Sequence, residues 1–93
     1  MFDKLKQLAE FRKQAEAIKK QLESVRIEVE EVEGIRLTVD GAQNFHAVTI
    51  SDNLLGAENK ARLEAGLLSS LQAAVRRSQA QAAQQMAVTM PKM

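Results

Sequence analysis

Side chains able to do acid–base or nucleophilic chemistry are scarce in this chain: one histidine, His46, and no cysteine among 93 residues. A hydrolase or transferase needs a base positioned beside a nucleophile. With one imidazole and no thiol, no enzyme is expected. By strand parity His46 shares the face of Val48 and Ile50, where a packed or rim histidine is expected rather than a metal ligand. Glu28, Glu30, Glu31 and Glu33 are the densest carboxylates. They alternate in direction along a strand and read as a solvated acidic face rather than a hard-cation site. The four glycines, at 34, 41, 56 and 66, are too scattered for a phosphate loop. No cofactor, metal or small-molecule substrate is expected.

What remains is cationic chemistry. Thirteen basic and twelve acidic side chains leave a net charge of only +1, but they are unevenly placed. Residues 1–22 carry Lys4, Lys6, Arg12, Lys13, Lys19 and Lys20 against Asp3, Glu10 and Glu16. Residues 23–40 reverse the balance, with Glu23, Glu28, Glu30, Glu31, Glu33 and Asp40 against Arg26 and Arg36. After Glu64 there are no acids, and Arg76 and Arg77 stand side by side. Such cations suit the phosphates of a duplex, which are bound largely without regard to sequence. No rigid base-reading group is evident, and three phenylalanines, Phe2, Phe11 and Phe45, are too few for a single-strand stacking platform. The candidate DNA contacts are Lys6, Arg12, Lys13, Lys19, Lys20, Arg76 and Arg77. On the residues alone, the same cations equally suit the solvated face of a coiled coil, and that choice stays open.

The elements that must position these groups follow from hydrophobic spacing. Leu8, Phe11, Ala15, Ile18, Leu22 and Val25 form the a and d seam of nearly three heptads. Lys6, Lys13 and Lys20 fall at f and Arg12 and Lys19 at e, with Glu10, Glu16 and Glu23 at c and b. The side away from the seam is thus expected to divide into a basic and an acidic stripe. Near Ser24 the period shortens to two, through Val25, Ile27 and Val29. Gly34 marks a turn, and Ile35, Leu37 and Val39 form a second strand. A three-residue loop at 32–34 sets Val29 opposite Leu37, Ile27 opposite Val39, Glu30 opposite Arg36 and Arg26 opposite Asp40. That register leaves Val32 exposed; a five-residue loop with Ile27 opposite Leu37 is the alternative. Asp40 and Gly41, a pair favoured at positive φ, begin the next turn, and His46, Val48 and Ile50 restart the alternation. Ser51, Asp52 and Asn53 favour a helix start. In the last helix Leu63, Leu67, Leu68, Leu71, Ala74 and Val75 form a broad apolar face, and Gly66, Ser69, Ser70 and Ala73 imply close approach of another element. From Ser78 the segment SQAQAAQQ has helix formers but little bulk to bury.

The expected fold is one α+β domain over residues 1–93, in the order α-β-β-β-α, with an antiparallel three-stranded sheet flanked by two long helices. A basic heptad helix spans 1–24, a three-stranded meander 25–51, a long helix 57–88 and a tail 89–93. So short a chain buries a modest share of its surface, and two helices only partly cover such a sheet. A homodimer is therefore expected, with Leu37, Val39, Phe45, Val48, Ile50 and Leu71 at its interface. The missing cysteines give no support to an oxidising compartment. No run approaches the roughly 18 apolar residues of a membrane span, and the charged N-terminus is unlike a signal peptide. A cytoplasmic protein is expected.

The block LTVDGAQNFHAVTISDNLL, preceded by a basic heptad helix beginning MFDKL and followed by LQAAVRR, resembles the YbaB/EbfC family of nucleoid-associated proteins. Val39, Gly41, Ala42, Asn44, Val48, Ile50, Leu54 and Leu55 match a strand end, a turn and a strand running into paired leucines, and Ala74, Arg76 and Arg77 match the last helix. The resemblance covers nearly the whole chain. It implies a non-enzymatic homodimer whose sheets pair centrally and whose helices project like tweezers to bind double-stranded DNA in the bacterial nucleoid. It gives positional support as DNA contacts to Arg76 and Arg77. The chain departs from the family in having EEVEG where a glycine-rich first turn is usual, and in a shorter tail. The rival reading is a dimeric protein-interaction adaptor in which the seam, or the Ala and Gln arm, docks a partner without DNA.

Overall fold

A computed structural model describes residues 2–89, with side chains over 3–87. Helix α1 (Phe2–Ser24) leads to strands β1 (Arg26–Val32), β2 (Ile35–Asp40) and β3 (Phe45–Ile50). Short 3-10 turns at Asp52–Leu54 and Ala57–Asn59 then feed helix α2 (Lys60–Thr89). The order is the expected α-β-β-β-α, and the tail beyond Thr89 lies outside the described residues.

α1 contains neither glycine nor proline, and its end is set locally. The Ser24 hydroxyl donates to the Gln21 carbonyl at 2.7 Å, and the Val25 N–H to that of Leu22 at 3.2 Å. The β-branched alternation then takes over as strand. β1 pairs antiparallel with β2 in the expected register, Arg26 opposite Asp40, Ile27 opposite Val39 and Val29 opposite Leu37. The five-residue loop is thereby excluded. The turn itself is tighter than expected: a bulge after Val29 lets Val32 pair with Ile35, leaving Glu33 and Gly34 as the loop, with Gly34 at a φ of 94° that disfavours a side chain. Val32 is half-buried against the core rather than exposed.

β2 is the central strand of the sheet order β1-β2-β3. Its Ile35, Leu37 and Val39 are buried with Val29, Leu54, Ala73 and Ala74 in one cluster under α2. Small residues on α2 make that approach close. A Cβ added at Gly66 would sit 2.9 Å from Ile35 Cδ1, and Ser70, Ala73, Ala74 and Ser78 are buried along the same contact. The helix therefore rests on its small residues. Leu63, Leu67 and Leu71 wedge in at its margins, while Leu68, expected on the apolar face, is 59% exposed.

β3 is left largely uncovered: Phe45 and Val48 are exposed and Ile50 only half-buried. Most of α1 stands clear as well, and of its described side chains only Leu22 is buried and Ile18 and Glu23 half-buried. The molecule consequently measures 66 × 21 × 18 Å.

Candidate nucleic-acid interface

The cations of α1 are presented by an unencumbered helix. Lys6, Arg12, Lys13, Lys19 and Lys20 are all exposed. Among the described residues the ion pairs are Arg36 with Glu30, at 3.1 Å, and His46 with Asp40, at 2.8 Å. Among the described residues no lysine of α1 is in an ion pair. On the folded helix, however, position b lies angularly between e and f at 100° per residue. Glu16 and Glu23 therefore interrupt the basic surface rather than forming a separate stripe.

Arg76 and Arg77 are exposed but do not act as one pair, because successive helical residues diverge by about 100°. Arg77 turns to β1, where its guanidinium donates to the Glu28 carbonyl at 3.4 Å. Arg76 borders an open hollow lined with Leu71, Gln72 and Val75 on the other flank. A second open hollow, of Lys4, Gln7, Leu8 and Phe11, lies on α1. The acids Glu28, Glu30, Glu31 and Glu33 are exposed along β1 and its turn. Among the described residues no group of three or more His, Cys, Asp or Glu is placed to hold a metal ion, and no helix is long and apolar enough to cross a membrane.

The proposed interface residues separate into two kinds. Leu37 and Val39 are enclosed within the chain's own core. Phe45 and Val48, with half-buried Ile50 and Leu71, have apolar surface to offer.

One cluster was not foreseen. Asp40 is 1% exposed, and its carboxylate collects the backbone N–H of Ala42 at 2.8 Å and of Asn44 at 3.0 Å, the Asn44 amide at 3.1 Å and His46 Nε2 at 2.8 Å. An ionised carboxylate only accepts, so Nε2 carries the proton. A second bulge, between the pairs Thr38–Ala47 and Val39–Phe45, interrupts the alternation that had set His46 beside Val48 and Ile50. The sequence signal is the spacing of Asp40, Ala42 and Asn44, that of an aspartate folding its own turn. Gly41 is not at positive φ; Gln43 is, at 68°. Glycine is needed at 41 because a Cβ there would lie 3.0 Å from the Leu22 carbonyl oxygen.

Burial alone would raise the Asp40 pKa, but the hydrogen bonds from His46, Asn44 and Ala42 outweigh it and lower it from 3.8 to about 2. A carboxyl more acidic when folded adds stability that is in full force above its unfolded pKa and lost as pH falls through the folded value. The effect is worth about 2 kcal/mol. Melting temperatures of the parent are expected to fall between pH 4 and pH 2 by more than those of Asp40→Asn; parallel profiles would refute this.

Taken together, the fold is α+β with a projecting helix that presents exposed cations. The chain belongs to the YbaB/EbfC DNA-binding family, whose model matches residues 1–93. No curated protein matches it. DNA is thus the partner that membership assigns, and the family description names binding rather than a reaction.

Proposed function

We propose that the protein is a homodimer that binds double-stranded DNA with little sequence preference and helps organise the bacterial nucleoid within the cytoplasm. The observation that carries this reading is the set of unpaired, exposed cations on α1, Lys6, Arg12, Lys13, Lys19 and Lys20. They neutralise phosphates, with Arg76 and Arg77 extending the contact. Nothing comparable supplies base recognition: the polar side chains beside these cations are flexible lysines and glutamines on an exposed helix, unlike the rigidly held groups that read a groove. Dimerisation is supported by apolar side chains left in the open, Phe45 and Val48 on β3 and Leu68 on α2, with Ile50, Leu71 and Val75 half-buried.

Counterion release gives a quantitative test. Log affinity for a mixed-sequence duplex is expected to fall against log salt with a slope steeper than about −4, nearly alike for unrelated sequences. Absence of duplex retention at low salt would defeat the reading.

Leu5, Leu8 and Phe11, each at least 59% exposed, favour a second reading: an adaptor whose seam docks a protein. A stoichiometric partner retained through nuclease and high salt supports the adaptor, whereas recovery only with DNA supports the first reading.

A further inference from the structure

Asp40 is the one buried carboxylate among the described residues, and it lies where α1, β2, β3 and α2 meet. Its main-chain carbonyl accepts the buried Ser78 hydroxyl of α2 at 2.7 Å. Its N–H donates to the Asn44 carbonyl at 2.9 Å, and its side chain binds His46 of β3. The turn it shapes then supports α1: the Gly41 N–H donates to the Leu22 carbonyl at 2.8 Å, and the Leu22 side chain packs against Gly41. Leu22 is the only described α1 side chain that is buried. Gln85 of α2 also reaches α1, its Nε2 donating to Gln21 Oε1 at 2.9 Å.

We propose that Asp40, with His46 and Ser78, is a positioning residue for DNA binding: it locks the turn at 40–44 on which the last turn of α1 rests, and so fixes the angle at which the basic helix leaves the sheet. This rests on the DNA-binding reading above. The lever is long. From Leu22 to its start α1 runs about 30 Å, so a 10° change at the joint displaces the far end by about 5 Å. That exceeds the roughly 3.4 Å rise between phosphates on one strand, enough to put Lys6 out of step with a duplex that Lys19 and Lys20 still touch. A buried charge held by four hydrogen bonds suits this task, since it tolerates few alternative geometries.

The chain has no cysteine, so exposed Gln7→Cys on α1 and Gln79→Cys on α2 admit a spin-label pair. Labelled chains diluted with unlabelled ones report distances within one protomer, without DNA. The parent is expected to give one narrow distribution. His46→Ala and Asp40→Asn are expected to broaden or shift it by about 5 Å and to weaken duplex binding about tenfold through poorer simultaneous engagement. His46→Gln, which keeps an N–H donor, is expected to restore both. Val29→Ala serves as a core control and is expected to lower the melting temperature without moving the distance. The proposal is overturned if folded His46→Ala keeps the parent distribution, or if Val29→Ala broadens it equally. Should Asp40→Asn not fold, His46→Ala decides. A distance change in a protein whose parent does not bind duplex keeps the joint and removes the DNA-binding reading instead.

Discussion

Reversal of Lys6, Lys13, Lys20, Arg76 and Arg77 to glutamate is expected to lower duplex affinity by about a thousandfold or more at moderate salt, because each lost phosphate contact forfeits its counterion release and each new carboxylate repels the backbone. All five are exposed and only Arg77 among them bonds another element, at the Glu28 carbonyl, so the fold is expected to persist with a modest fall in melting temperature. The salt slope distinguishes lost contacts from general repulsion. Replacement of the same residues by glutamine is expected to flatten the slope, whereas reversal of exposed Lys60 and Arg62 at the start of α2 is expected to weaken binding less than about tenfold and leave the slope near the parent's. Equal losses from both sets would remove α1 from the interface and leave only net charge.

Val48→Lys is expected to convert the protein to single chains at micromolar concentration, read by sedimentation. Val48 is 55% exposed on β3, so the protomer core does not need it. Within a dimer interface an unpaired ammonium costs several kcal/mol, a shift of more than about a hundredfold in the dissociation constant. Duplex affinity is expected to fall by about a further hundredfold, since two tethered sets of basic helices bind with an effective concentration that separate ones lack. Thr49→Lys, at the neighbouring exposed position, is the control and is expected to leave both measurements unchanged. A two-chain mass retained by Val48→Lys would refute dimerisation through β3.

The strand register was legible because two kinds of pairing agreed on it. Val29 with Leu37 and Glu30 with Arg36 both demanded the alignment that the structure adopts. The heptad period located α1, and the small residues around Gly66 announced a close approach that β2 satisfies. Bulges were not legible. One tightened the first turn and rescued Val32 from solvent; the other broke the alternation around His46. A bulge changes which residues face each other without changing composition, and periodicity detects it only after the fact. The orientation of α2 escaped for a related reason: Leu67 and Leu68 both fit an apolar stripe, and only the depth of the Gly66 contact decides which of them faces the sheet. The cations were legible as residue types, but their divergence at Arg76 and Arg77, and the interruption at Glu16 and Glu23, depend on helical angle rather than on adjacency.

The glutamates of β1 bear on how far the proposed self-association can extend. A three-stranded sheet has two free edges, and a protein adhesive along both would add copies without end, strand upon strand. Here one edge strand carries Glu28, Glu30 and Glu31 in the open, so a second β1 brought alongside would meet like charge. The other edge strand, β3, carries exposed Phe45 and Val48. If the proposed pairing runs through β3, a chain with one repellent and one receptive edge runs out of binding surface at its first union: growth is then expected to terminate at a closed pair rather than a filament.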